Sequence, residues 1–201
     1  MIKIRMKLIL LSLKFMKIIS GSHKGRKIIA PKNINIRPTT SKSKEGLFNI
    51  LNNFIEFEKL CVLDLFSGTG NISYEFASRG ALKIIAVENN YKAFKFIKTK
   101  AREFNFPINV VCKNVISYLN NNTDKFDLVF SDPPYSYSKE EYDNMITIIL
   151  KNKLIDDGIM IVEHSKKIKL DNLIGFFDSR KYGNNCFSMF RKKQAYKPDS
   201  V

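Results

Sequence analysis

The period of the apolar positions changes along the chain, and the changes divide it. From Leu60 onward, short apolar runs alternate with segments of helical period. The runs Cys61–Leu65, Lys83–Val87, Asn109–Val111, Phe126–Phe130 and Gly158–Glu163 predict strands. Between them, Ile72–Ser78, Tyr91–Phe104, Val115–Leu119 and Lys139–Leu150 predict helices. This alternation predicts an α/β fold whose parallel sheet is covered on both faces. The end of the chain differs. Phe176–Lys181 and Cys186–Arg191 flank Gly183-Asn184, which predicts an antiparallel hairpin.

The front reads as an appendage. Lys17–Ser20 and Arg26–Ala30 bracket Gly21-Ser22-His23-Lys24-Gly25 and predict a small hairpin with a basic tip. Pro31–Pro38 is extended or turning. Thr40 or Ser41 can cap a helix carrying Leu47, Phe48, Ile50, Leu51, Phe54 and Ile55. The expected organisation is a hairpin and helix over 16–58, a main domain over 59–193 and a frayed tail over 194–201. Residues 1–15 are expected to be an upstream start or an extension. Their apolar run Leu8–Leu13 is too short to span a bilayer, and no cleavage site follows Lys14 and Lys17. A weak membrane-surface helix is the alternative there.

Composition narrows the class. With 201 residues, 44% hydrophobic and 26% charged, the chain can bury a core, and wholesale disorder is excluded. Cys61, Cys112 and Cys186 form no CxxC pair, so they read as small buried hydrophobes rather than disulfides or metal ligands. Two histidines leave little for a histidine metal site, and no metal is expected. The net charge of +15 is weak evidence by itself, because 27 of the 34 cations are Lys in an Ile- and Asn-rich chain, as A+T-biased coding would produce. Distribution says more. No acid precedes Glu45, and twelve cations lie in Met1–Lys44, while the other 22 face 19 acids. An N-terminal surface for phosphates follows.

Two motifs carry chemistry. Asp64-Leu65-Phe66-Ser67-Gly68-Thr69-Gly70 ends the first strand of the alternating region, and Gly68 and Gly70 let a ligand approach the backbone. A dinucleotide fingerprint needs Gly or Ala where Ser73 stands, and Asp64 would repel a pyrophosphate. S-adenosylmethionine, cationic at its sulfonium and ammonium, suits that carboxylate. Glu88, at the end of the second strand, can accept from ribose hydroxyls. The bland alternative is two acids capping neighbouring helices.

The second motif, Ser131-Asp132-Pro133-Pro134-Tyr135, follows the fourth strand. Two prolines stiffen the turn and remove two backbone donors. The Asp132 carboxylate and the Pro133 carbonyl can accept the two N–H bonds of an exocyclic amino group, and Tyr135 can stack on the base. Asp132 acts first as an orienting acceptor and second as a proton sink.

These residues have the pattern of class I S-adenosylmethionine-dependent methyltransferases acting on amino groups. Ser20-Gly21, Gly25-Arg26-Lys27, Arg37-Pro38-Thr39-Thr40, Glu45 with Leu47-Phe48-Asn49, the Asp64–Gly70 loop, Glu75, Ser78-Arg79-Gly80-Ala81 and Asp132–Tyr135 occur in order. Together they resemble the bacterial small-subunit rRNA guanine-N2 methyltransferase family, the RsmD type, from about Met16 to Lys193. The resemblance implies a Rossmann-like fold: a seven-stranded, mostly parallel sheet, a C-terminal antiparallel hairpin and the N-terminal appendage. It implies that Asp64, Phe66, Gly68, Gly70, Glu88 and Asn114 bind S-adenosylmethionine, and that Asp132, Pro133 and Tyr135 receive guanine. It implies that Lys24, Arg26, Lys27, Arg37, Thr39, Lys42 and Lys44 grip 16S rRNA in the small ribosomal subunit or its assembly intermediate. A cytoplasmic monomer with no membrane partner is expected. Lys42 and Lys44 stand where the family usually has Arg, Asn90 where an acid is usual, and Asn114 where many methyltransferases have Asp.

Other residues stay open. His23 is a stacking or phosphate contact or an exposed turn residue, Arg79 a helix cap or an RNA contact, and His164 reads as structural. Phe66 by its own pattern reads as core. Two other functions compete: adenine-N6 or cytosine-N4 methylation of RNA or DNA, and a non-catalytic RNA-binding assembly factor.

Overall fold

The computed structural model describes residues 15–31, 34 and 41–192. Strands β1 (Phe15–Lys17) and β2 (Lys27–Ile29) form an antiparallel pair in which Met16 faces Ile28, both buried. Phe15, expected in the extension, is the first residue of β1. The ladder ends sooner than expected because Ile18 and Arg26 already close the turn, with Ile18 N–H donating to the Arg26 carbonyl at 3.0 Å. Helix α1 (Ser41–Leu51) buries Leu47, Phe48 and Leu51. It stops before Phe54 and Ile55, where Asn52 and Asn53 turn the chain and leave Phe54 exposed. Arg37, Thr39 and the 194–201 tail lie outside the described residues.

The rest alternates: β3 (Cys61–Leu65), α2 (Asn71–Ser78), β4 (Lys83–Glu88), α3 (Tyr91–Glu103), β5 (Ile108–Cys112), α4 (Val115–Asn121), β6 (Phe126–Ser131), α5 (Lys139–Asn152) and β7 (Leu154–Ser165), followed by β8 (Phe176–Tyr182) and β9 (Asn185–Arg191). The seven strands lie in the order β5-β4-β3-β6-β7-β9-β8. β3 to β7 are parallel, and β9 runs antiparallel to both β7 and β8. This is a Rossmann-like fold, a mostly parallel seven-stranded sheet with an antiparallel C-terminal end. No helix of the described residues is long and apolar enough to cross a membrane.

Alternate residues of each strand feed two cores. Val62, Ile84 and Leu128 join α1, α2, α3 and the β1–β2 hairpin on one face. Leu63, Leu65, Val87 and Val129 join α4 and α5 on the other. Burial on both faces is why these strands read as unbroken apolar runs. β7 begins earlier than its apolar run. Phe126 pairs with Leu154 but Leu128 with Ile159, so residues 155–158 bulge out of the ladder.

The appendage shares its core with the sheet, and a buried carboxylate joins them. Glu75 of α2 accepts from Ile19 N–H at 2.9 Å and Ser20 N–H at 3.0 Å. Its oxygens also meet Lys44 Nζ at 3.2 Å and Arg79 Nε at 3.1 Å. Beside it, Ser22 N–H donates to the Ser78 carbonyl at 2.7 Å. Gly21 sits there at φ +80°, and a Cβ would lie 1.7 Å from that carbonyl oxygen, so no other residue fits.

Candidate active site

The chain leaves β3 toward β4 on one side, and β6 lies on β3's other side. The strand order therefore reverses between β3 and β6, and a crevice opens at their carboxyl ends. Both sequence motifs sit there. One cleft of about 390 Å³ is lined by Asp64, Phe66, Gly68, Glu88, Asn114, Asp132, Pro133 and Tyr135, with Ser67, Thr69, Asn71, Ile72, Asn89, Phe130, Pro134 and Tyr137. That set holds three carboxylates and no Lys, Arg or His.

The glycine loop is shaped by backbone turns in the left-handed region at Phe66 (φ 57°), Gly68 (φ 58°) and Gly70 (φ 83°). Gly70 lies just behind the cleft lining as the N-cap of α2, where a Cβ would meet the Tyr74 ring at 2.8 Å. Phe66 is a bulky residue in a conformation usually left to Gly or Asn. The turn swings its ring onto Tyr137, edge to face at 5.5 Å, so it both packs and lines the cleft. Gly68 N–H donates to Glu88 Oε2 and Asn90 N–H to Glu88 Oε1, each at 2.8 Å. Two backbone donors thus hold the Glu88 carboxylate rigid, and its remaining lone pairs can still accept.

Asp64 is 1% exposed and accepts from the Ser73 hydroxyl. Burial, with Glu88 adding repulsion, pushes its carboxyl up to about 7 despite the Ser73 bond. Ser73, absent from a dinucleotide fingerprint, is here the partner of that acid. Asn114 caps α4 through Oδ1, which accepts from Ser117 N–H at 3.1 Å.

After β6 the Asp132 N–H reaches the Leu65 carbonyl at 3.4 Å, tying the proline turn to the end of β3. Asp132 is half-buried, Pro133 buried, and Tyr135 exposed. Two residues that sequence reasoning missed hold Tyr135. Its hydroxyl donates to Asn185 Oδ1 at 3.2 Å, and Asn185 Nδ2 donates to Glu163 Oε1 at 2.5 Å. Because Glu163, fully buried on β7, only accepts when ionised, it fixes which end of the Asn185 amide faces Tyr135. One signal was readable: an acid closing the apolar run Gly158–Glu163.

The expected RNA-gripping set divides. Lys24, Arg26, Lys27 and Lys42 are exposed. Lys44 is not on that surface. It is 1% exposed, and its ammonium bonds the Lys17 carbonyl and Asn71 Oδ1, each at 2.8 Å, as well as Glu75. Burial lowers its affinity for the proton and Glu75 opposes that shift. Arg79 is half-buried, bonded to Glu75 and set 4.6 Å over the Phe48 ring. His23 packs edge-on against Phe106 with centroids 4.6 Å apart. His164 is buried, shares a 2.8 Å bond with the Ser188 hydroxyl, and is held below its usual pKa by that burial. Of the cysteines, Cys186 is buried, Cys61 half-buried and Cys112 exposed, so the expectation of three buried thiols fails at Cys112.

The chain matches the family described as Conserved hypothetical protein 95 over residues 16–191. It is 30% identical over 192 residues to a Bacillus subtilis protein provisionally named rRNA methyltransferase YlbH, covering 89% of this chain and all of that one. It is 32% identical over 149 residues to Ribosomal RNA small subunit methyltransferase D of Escherichia coli, 73% of each chain. Among solved structures, an Escherichia coli chain provisionally described as methyltransferase yhhF superposes with a TM-score of 0.78 at 23% identity, over 90% of this chain and all of that one. The Thermus thermophilus 16S rRNA N2 G1207 methyltransferase RsmC, solved with AdoMet and guanosine, superposes with a TM-score of 0.72 at 14% identity, over 90% of this chain and 50% of that one.

Proposed function

The chain belongs to the Conserved hypothetical protein 95 family, and from that premise we propose that it methylates the exocyclic N2 amino group of a guanine in 16S rRNA, using S-adenosylmethionine. The observation that carries this reading is the cleft itself: Asp64, Glu88 and Asp132 converge at the switch point, with no cation in the lining among the described residues. Such a site repels a pyrophosphate and favours a cationic ligand. The names of the relatives, rRNA methyltransferases, support the substrate class.

The residues fit the cofactor. Asp64 would hold its ammonium, Glu88 its ribose hydroxyls, and Asn114 its adenine. With Oδ1 engaged by the α4 cap, Asn114 offers the Nδ2 donor to a ring nitrogen. When bound, S-adenosylmethionine supplies an electrophilic methyl group on its sulfonium. On the other side of the cleft the chain prepares the acceptor. The amino nitrogen of guanine is a poor nucleophile because its lone pair delocalises into the ring. The Asp132 carboxylate and the Pro133 carbonyl accept its two N–H bonds, aim it and favour localisation of that pair. Tyr135, held by Asn185 and Glu163, presents a fixed ring for stacking, which is worth about 1–3 kcal/mol per base. The exposed cations Lys24, Arg26, Lys27 and Lys42 meet rRNA phosphates, with Arg37 and Thr39 assigned to the same role from the sequence.

Asp64 makes cofactor binding depend on pH. Only the carboxylate attracts the ammonium, and the acid titrates at about 7. Affinity for S-adenosylhomocysteine should therefore be nearly full above pH 8, about halved at pH 7 and about tenfold lower at pH 6. Asp64→Asn should bind weakly with a flat profile. Titration calorimetry from pH 6 to 8.5 measures both, and a flat wild-type profile contradicts this role. The same raised value makes the unliganded fold less stable as pH rises from about 4 to about 7, because the folded state holds the proton longer than the unfolded one.

Labelled methyl transfer into small subunits lacking the modification tests the function. Transfer confined to large subunits or DNA, with none to small subunits, would refute it.

A further inference from the structure

Helix α3 carries five cations, Lys92, Lys95, Lys98, Lys100 and Arg102, and one acid, Glu103, which pairs with Lys100 at 2.5 Å. Among the described residues no acid pairs with Lys95, Lys98 or Arg102. These three share one exposed face with Tyr91 and Phe94 and line an open groove of about 710 Å³ with them. Tyr91 is 58% exposed and lies nearly parallel to Phe94, with centroids 5.9 Å apart at 22°. The cations are seated on the rings: Lys95 Nζ is 4.6 Å from the Tyr91 centroid and Lys98 Nζ 5.7 Å from that of Phe94.

The arrangement continues into the hairpin. At the far end of α3, Phe104 takes Lys100 at 5.8 Å and the Arg26 guanidinium at 5.3 Å. Lys27 then lies 4.9 Å from the Phe15 ring. At the near end, Tyr91 follows Asn89, which lines the cleft, by two residues. A band of alternating rings and cations therefore runs from the rim of the cleft along α3 to the hairpin.

We propose that this band is a track for a single RNA strand flanking the target base, with phosphates on Lys95, Lys98 and Arg102 and a base stacked on Tyr91. The proposal rests on the rRNA reading above and extends its contact surface from the hairpin to α3. The three cations recur every three to four residues on one helix face, about 5–6 Å apart. From Tyr91 to Arg102 the helix rises about 17 Å, enough for a few nucleotides. Cation–π seating restricts the long side chains before RNA arrives, and a ring–cation surface suits a strand whose bases are unstacked. A protein partner with an acidic face would use the cations but leave Tyr91 and Phe94 without bases to stack on.

Two triple variants test it. One carries Lys95→Ala, Lys98→Ala and Arg102→Ala. The other removes the same charge elsewhere, by Lys125→Ala just before β6 and Lys139→Ala and Lys151→Ala on α5 across the sheet. Affinity for a small-subunit rRNA fragment around a modifiable guanine is read across a salt series, with S-adenosylhomocysteine thermal stabilisation as the check on the cleft. The α3 triple should bind at least tenfold more weakly, with a log–log salt slope reduced by about 2, at about 0.7 per phosphate contact on single strands. The control triple should stay within about threefold of wild type. Tyr91→Ala should weaken binding severalfold without changing the slope, since stacking releases no counterions. Equal losses in both triples would reduce the band to bulk charge and overturn the proposal, as would an α3 triple that binds like wild type. A wild-type protein that is stabilised by S-adenosylhomocysteine yet binds no RNA would overturn the rRNA reading and the band with it.

Discussion

Asp132→Ala is expected to slow methyl transfer by about 10²–10³-fold while leaving S-adenosylhomocysteine affinity within about twofold of wild type. The expectation comes from where Asp132 sits. It follows β6 directly, its N–H reaches back to the Leu65 carbonyl, and it is half-buried in the cleft across from the Asp64 loop. A preorganised polar group facing developing charge is worth about 2.7–4 kcal/mol, and holding the nucleophile in line adds part of the larger orientation effect. Asp132→Asn separates the two roles. It keeps one carbonyl acceptor but cannot take a proton near neutral pH. If orientation dominates, Asn should retain roughly tenfold more activity than Ala. Single-turnover kinetics with saturating cofactor measures this. An Asn variant as slow as Ala would make Asp132 chiefly a proton acceptor, and an Ala variant near wild type would remove it from the chemistry.

Glu75→Ala is expected to be the most destabilising single substitution among the charged residues. Glu75 is fully buried and serves Ile19 N–H, Ser20 N–H, Lys44 and Arg79 at once. Removing it leaves the buried Lys44 beside the half-buried Arg79, and two backbone donors without that acceptor. Breaking a buried pair from one side costs about 3–5 kcal/mol, against a typical total of about 5–15 kcal/mol. Glu75→Gln keeps an acceptor for one N–H and should lose less. Lys44→Met with Glu75→Gln should recover part of the loss, because neither charge is then stranded. Urea unfolding of the three variants checks the order. A loss below about 1 kcal/mol for Glu75→Ala would mean that the appendage does not depend on this carboxylate. Because the same carboxylate anchors Ile19 and Ser20, Glu75→Ala should also weaken RNA binding at the hairpin.

The parallel sheet was legible because its strands are covered on both sides. Cys61–Leu65 is the strand the apolar run predicts, and Tyr91, Val115 and Lys139 each begin the helix expected there. The cleft was legible because its two motifs each end a strand, so the parallel order alone brings them together. What stayed hidden depends on contacts between distant segments. Lys44 looks like a surface cation by type and is buried only because Glu75, 31 positions later, lies under it. Arg79 is drawn inward by the same carboxylate. Asn185 reaches Tyr135 across 50 positions because β9 returns beside β7. The early start of β7 was masked because Asp156 and Asp157 interrupt the apolar pattern between Leu154 and the run from Gly158, where the strand bulges.

The most direct test of the central claim is nucleoside mass spectrometry of small subunits lacking the modification, after incubation with S-adenosylmethionine and the wild-type protein. The account predicts new N2-methylguanosine, strongly reduced with Asp132→Ala. Methyladenosine or methylcytidine instead would contradict the guanine assignment. No methylated nucleoside, from protein shown to bind both cofactor and small subunit, would contradict the enzyme itself.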